Sequence, residues 1–267
     1  MTLACATNGA AGKPHPSVGS VDDLGALRVE ELRLSCDRLG IDPPVLLGLH
    51  DSARGERRRH SDPRALANVD MLEVEAAIRR IIEDVTPQVV LTFDPHGGYY
   101  DPDHLAVHRA TTAAFFSSGR MAGAAPQRLF YGAMLRDVFH ELAEKSRGRG
   151  ITDGLDPDVF GTTNEMIAVS FDATALLHRK FLALAAHRSA FGVTEEMLND
   201  APPGARELLD AFRPVLEREV FVLGGTRVPT PHWPLRDLFD GVRSAQLAHE
   251  SCTHVSESRR RVSCDGS

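Results

Sequence analysis

Apolar β-formers and apolar positions at helical spacing alternate along the first half of the chain. Thr2 to Thr7 reads as a short strand that ends in the loop signal Asn8-Gly9-Ala10-Ala11-Gly12. Leu24 to Leu39 reads as a helix: Leu24, Leu27, Leu32 and Leu39 mark an apolar face, and Gly40 is a good stop. Val45 to Leu49 has the form of a buried strand. Residues 50 to 66 are rich in arginine and broken by glycine and proline, and read as a solvated polar loop. Met71 to Val85 is a second helix, with Leu72, Ala76, Ile78, Ile81 and Ile82 on its apolar side. Gln88 to Phe93 is a strand, residues 94 to 103 a loop, and a third helix runs from near His104 to about Ser117.

The second half is less regular. Strands are expected at Arg128–Ala133, Glu165–Val169 and Glu217–Leu223, and helices at Met134–Ser146, Ala173–Ala190 and Arg236–Val242. Strand and helix in alternation argue for an α/β fold, a mostly parallel sheet flanked by helices on both faces. Residues 1–243 are expected to form one domain. Residues 244–267, polar and carrying Arg259-Arg260-Arg261, read as a disordered tail.

Composition narrows the function classes. The chain has 267 residues, 42% hydrophobic and 25% charged, which suits an ordinary globular domain with a core. A net charge of -7 without a basic stripe argues against nucleic acid as a partner. No apolar run approaches the roughly 20 residues that cross a bilayer. Cys5, Cys36, Cys252 and Cys264 are scattered without a C-x-x-C pair. That argues against a cysteine zinc site or a disulfide framework, and fits a cytoplasmic setting.

Candidate chemistry concentrates where a strand ends and a helix begins, in Thr92-Phe93-Asp94-Pro95-His96-Gly97-Gly98-Tyr99-Tyr100-Asp101-Pro102-Asp103-His104 and on to His108. Ligands of open parallel sheets bind outside the carboxyl ends of the strands. Asp101 and Asp103 with His104 and His108 put two carboxylates and two imidazoles within eight residues. A plain turn with an Asp N-cap would use the same residues, so spacing alone leaves a structural and a metal or catalytic reading open.

The longer string resembles the second signature of the LmbE-like (PIG-L) N-deacetylases. Other segments resemble that family in order: Met1 to Gly12, Arg28-Val29-Glu30-Glu31-Leu32, Leu46 to Ser52, the late helix containing Ala185-Ala186-His187-Arg188-Ser189, and Pro234 to Gly241. The resemblance implies a Rossmann-like sheet and zinc-dependent hydrolysis of an N-acetyl amide on an amino sugar or related small molecule. It implies His104 as a zinc ligand. It implies Tyr99, Asp101 and Asp103 in catalysis, and His50, Asp51 and Tyr99 against the substrate. Asp103 is expected to orient a neighbouring histidine and cap the helix, and His108 to support the ligands from behind.

The family's first signature, Ala-His-Pro-Asp-Asp, is expected just before the strand that begins at Met1. It supplies two metal ligands and the general base. Either the start is misassigned or the first strand is truly missing. Asp101 also stands where the family usually has histidine, and His50 where sugar-binding members often have arginine. Two readings follow: a zinc-dependent deacetylase acting on a small N-acetylated substrate, possible as a homo-oligomer, or a non-catalytic member that keeps the fold and a ligand site.

Overall fold

Helix ends are where the sequence most directly sets the structure. In the computed structural model, which describes residues 1–120, 125–148, 152–200 and 202–243, α1 spans Leu24–Leu39. The Asp23 carboxylate caps it by accepting from Ala26 N, and Gly40 closes it in the left-handed region. Helix α2, Met71–Val85, starts on Asp70, whose side chain accepts from Leu72 N. The turn α3, Gly97–Tyr100, leads into α4, Pro102–Ser117, with Asp101 as its N-cap and proline at the first position. Later helices are α5 (Arg136–Lys145), α6 (Pro157–Phe160), α7 (Leu177–Ala186), α8 (Arg188–Phe191), α9 (Glu195–Asn199) and α10 (Pro203–Leu216). No helix among the described residues is long and apolar enough to cross a membrane.

The strands are β1 (Ala4–Thr7), β2 (Val45–Leu49), β3 (Val89–Thr92), β4 (Arg128–Ala133), β5 (Val169–Asp172) and β6 (Arg218–Thr226). They form two groups among the described residues: β1 parallel to β2, and a four-stranded sheet in the order β3-β4-β6-β5. Only β3–β4 is parallel in the second group; β6 runs antiparallel to both β4 and β5. The α/β class with parallel strands flanked by helices therefore holds, and its distal half is antiparallel. β1 and β3 each end their group. Ala6 of β1 shares an apolar cluster with Ala106 and Ala110 of α4, and α4 also packs on β3. A second cluster joins the far half of the larger sheet through Phe130, Ala168, Val169 and Leu235.

The first-half elements lie where the hydrophobic pattern puts them, within one or two residues, but Val45–Leu49, expected as a buried strand, leaves Val45 and Leu46 each 38% exposed at the edge of its two-stranded group. The second half departs from it. The strand expected at Glu165–Val169 begins at Val169 instead, because its antiparallel pairing with Phe221 to Arg218 starts there; Asn164–Met166 is a 3-10 turn. The helix expected over Ala173–Ala190 breaks at His187, which has non-helical backbone angles. Beyond the break the Ser189 amide bonds Glu31 of α1 rather than a carbonyl one turn back. Residues 236–242 form turns, not a helix: Asp237 and Asp240 side chains take the Phe239 and Arg236 amides. Helix α10 is not expected from the sequence pattern; it packs on α5 and β6. The tail expected at 244–267 lies outside the described residues.

A buried polar hub joins α1 to α8. Glu31, only 5% exposed, accepts from both the amide and the hydroxyl of Ser189, at 2.9 and 2.7 Å. The Arg28 side chain donates to Ser189 Oγ and to the Gly9 and Lys13 carbonyls. Beside this hub, burial pushes the His187 imidazole below its ordinary value, opposed by Glu31 and reinforced by Arg28. An imidazole depressed in the fold contributes stability that is complete above its unfolded value near 6.5 and is lost as pH falls through the folded value. The melting temperature should therefore fall on acidification below that range, and His187→Gln should make the fall shallower. Identical pH profiles for the two proteins would contradict the assignment.

Candidate functional site

Three loops meet at the carboxyl ends of β1, β2 and β3. The β3–α4 loop is shaped by one carboxylate and two glycines. Asp94 Oδ1 accepts from His96 N at 3.1 Å and from Gly98 N at 2.7 Å, which curls the loop back. Gly97 and Gly98 both have positive φ, at 59° and 74°. A Cβ on Gly97 would lie 2.9 Å from both His104 Cβ and Leu105 N, so only glycine lets the loop approach the helix this closely. That approach brings the Gly97 carbonyl 3.0 Å from His104 Nδ1. The His104 ring also stacks on Phe93, with centroids 4.0 Å apart and planes within 10°. With Nδ1 occupied and the ring clamped, Nε2 is the free nitrogen.

Tyr99 stands edge-on to His104 at 5.1 Å between centroids. The Arg54 guanidinium lies over the Tyr99 ring, 4.9 Å from its centroid. Its Nε is 3.6 Å from Asp101 Oδ2, while Asp101 Oδ1 accepts from Asp103 N. Asp103 is buried. Its Oδ2 accepts from Ser52 N at 2.9 Å, and its Oδ1 is buried with no hydrogen-bond partner among the described residues. Burial is the main cause raising the Asp103 carboxyl, partly offset by the Ser52 hydrogen bonds and increased by Asp51 and Asp101.

Asp51 is held by the other two loops: Oδ2 takes Ala11 N at 3.2 Å and Oδ1 takes Ala53 N at 2.8 Å. Arg57 donates to the Ala11 carbonyl at 2.6 Å. The structure thus brings Tyr99, Asp101, Asp103 and His104 together, with Asp51 joined through its own loop. His50 is engaged elsewhere, its Nδ1 2.9 Å from Asp62 Oδ2 in the same loop. His108 Nδ1 is hydrogen-bonded with the Phe93 carbonyl, its ring 4.8 Å from Tyr131. Two sequence expectations change here. The helix cap is Asp101, not Asp103, and Asp103 holds the Ser52 amide rather than a histidine. The arginines of residues 54 to 64 are also more than a solvated loop. Arg57, Arg58 and Arg64 bond Ala11 O, Asn68 and Gly48 O, and Arg54 reaches Tyr99 and Asp101. Nothing in the spacing of these arginines marks Arg54 out, because its partners lie more than forty residues away.

His104 presents Nε2 in the manner of a metal-bound imidazole whose other nitrogen is fixed by a carbonyl. Among the described residues, however, no group of three His, Cys, Asp or Glu side chains stands close enough to hold an ion. A catalytic zinc takes about three protein ligands and a water, so these donors do not complete one.

Comparison with known proteins gives a consistent set of relatives. The GlcNAc-PI de-N-acetylase (PIG-L) family matches residues 1–115. A 1D-myo-inositol 2-acetamido-2-deoxy-alpha-D-glucopyranoside deacetylase of Acidothermus cellulolyticus is 32% identical over 235 residues, covering 84% of this chain and 77% of the relative. A protein of the same description from Rhodococcus jostii is 32% identical over 239 residues, covering 84% and 80%. The solved structure of a conserved protein from Thermus thermophilus, TT1542, shares the fold, with a TM-score of 0.50 at 19% identity over 88% of this chain and 85% of that one.

Burial pushes the Tyr99 phenol above its ordinary value of 10.0, with Asp101 adding to the shift and Arg54 opposing it. The chain has three tyrosines, so an alkaline absorbance titration can resolve them. A phenol ionising above the ordinary range should disappear in Tyr99→Phe and move down in Asp101→Asn, which removes a neighbouring negative charge. A late step that persists in Tyr99→Phe would show that another tyrosine carries it.

Proposed function

We propose that this chain, which belongs to the PIG-L family of de-N-acetylases, hydrolyses the N-acetyl amide of a glucosaminyl substrate to acetate and a free amine. The observation that carries the reading is the cluster of Tyr99, Asp101 and Asp103 around a clamped His104, at the carboxyl end of β3. The two deacetylases that share 32% of their aligned residues with it act, by name, on an acetamido-glucopyranoside of inositol, which supports an amino-sugar substrate.

The reaction adds a water oxygen to the amide carbonyl carbon. The C–N bond then breaks, and the amine nitrogen takes up a proton. The carbonyl oxygen gains negative charge on the way, and a preformed donor aimed at it lowers the barrier. Tyr99 suits that role, because its raised phenol keeps its proton at neutral pH and stands beside His104. Asp51, fixed by two amides of two loops, is the acceptor for sugar hydroxyls. Asp101, held by Asp103 N and facing Arg54, sets the charge on the opposite side of Tyr99.

Zinc at His104 belongs to this reading through the ring's orientation, and when bound it would polarise the carbonyl and activate water. The described donors do not complete its shell, so the roles given to Tyr99, Asp51 and Asp101 do not depend on it. The open edges of β1 and β3, with α4 against both groups, support a further parallel strand seated between them.

Metal analysis tests the donor set: after dialysis the 267-residue chain should retain well under one equivalent of zinc, and His104→Ala less still. Retention of a full equivalent would show that the described residues hold the ion after all.

Amine release from N-acetylglucosaminyl-inositol and simple N-acetylated amino sugars, with zinc supplied, tests the activity. Tyr99→Phe should lower kcat by roughly 10²–10³-fold, as losing an oxyanion donor does elsewhere. His104→Ala should remove most turnover, because it takes away the clamped imidazole at the centre of the cluster. Ligand binding without turnover in the wild-type chain would favour the non-catalytic reading. Equal rates for wild type and His104→Ala would exclude His104 from the chemistry.

A further inference from the structure

We propose that Arg54 is a catalytic residue of this site, donating to the developing oxyanion from the side that Asp101 occupies. The inference rests on the deacetylase reading and deepens it. Arg54 sits on the loop after β2, and its side chain is 58% exposed. Among the described residues its guanidinium makes two contacts, the Tyr99 ring at 4.9 Å and Asp101 Oδ2 at 3.6 Å from Nε. It makes no hydrogen bond there, unlike Arg57, Arg58 and Arg64 of the same loop. Its two terminal nitrogens are therefore free to donate.

The charge arrangement gives this placement a reason. Asp101 is a carboxylate beside Tyr99, and Asp51 is a second on the adjoining loop. An oxyanion forming beside His104 would meet net negative charge from these side chains alone. A guanidinium stays protonated at all working pH values and offers several N–H donors in one plane. Asp101 is fixed by the Asp103 amide, so it can hold Nε and leave the outer nitrogens unoccupied beside Tyr99. The Tyr99 face supplies the second anchor, so the guanidinium is oriented by two groups that also border the reacting centre. Tyr99 and Arg54 together make a two-donor cradle, and the positive member compensates for a carboxylate at position 101.

The test uses the 267-residue chain with zinc supplied and N-acetylglucosaminyl-inositol as substrate, with melting temperatures measured as a check on folding. Arg54→Ala should lower kcat about 10²-fold or more and change KM by only a few-fold, because the contact forms in the transition state. Arg54→Lys should keep part of the rate, and added guanidinium ion should restore part of it to Arg54→Ala. Placing an imidazole on the same side should also substitute: Asp101→His in the Arg54→Ala background should recover about ten-fold or more, within the range one oxyanion donor supplies. An unchanged kcat in Arg54→Ala, or a change confined to KM, would overturn the catalytic role while leaving the deacetylase reading intact. Failure of both guanidinium and the second-site histidine to restore any rate would overturn it as well. A wild-type protein without deacetylation would overturn the underlying reading and this role with it.

Discussion

The candidate site depends on one close approach, that of the Gly97 backbone to the first turn of α4. The distance is too short for any Cβ at position 97. It lets a backbone carbonyl take His104 Nδ1 and fixes which nitrogen faces outward. The same approach forces the loop to double back, so that Phe93, at the end of β3, becomes a stacking surface for the imidazole. Tyr99 then falls against the other edge of the ring. Asp94 stabilises this local fold by accepting two loop amides that would otherwise be unpaired.

The rest of the molecule holds this turn against its neighbours. Asp103 reaches from α4 to the Ser52 amide, linking the β3–α4 turn to the loop after β2. Asp51 then ties that loop to Ala11 and so to the loop after β1. Arg28 fills the inside of the β1 loop so tightly that a side chain at Gly12 would collide with its guanidinium, 2.0 Å away. Glu31 and Ser189 anchor the network in the interior, where each satisfies the other's buried polar atoms. Three loops far apart in sequence thus behave as one surface, joined by charged side chains to backbone amides and carbonyls.

Electrostatics divides the site into two sides. Asp103 and Tyr99 are both driven by burial toward their protonated forms. Asp101, its side chain 18% exposed, and Arg54, 58% exposed, face each other at 3.6 Å, and Asp101 with the Tyr99 ring orients the guanidinium. With one member exposed and no hydrogen bond between them, the pair contributes little to stability. Its consequence is local, in setting the sign of the charge beside Tyr99.

Nearest-neighbour chemistry accounts for the first half of the fold. Asp23, Gly40, Asp70 and the Asp101-Pro102 pair act on their adjacent backbone groups, so the elements they bound are legible in the residues themselves. The segment that carries chemistry is legible for the same reason, because the glycines and acids that shape the β3–α4 turn are contiguous. Long-range packing accounts for the remainder. The break at His187 exists because Ser189 bonds Glu31, 158 residues away, and the strand at Val169 begins where its distant partner β6 allows pairing. His50 is held by Asp62, and Asp103 by the Ser52 amide 51 residues away, partners that only the folded chain brings together. Arg54 entered the site in the same way: its partners come from a different loop, and no periodicity within residues 50 to 66 records a contact made across the sheet's carboxyl edge.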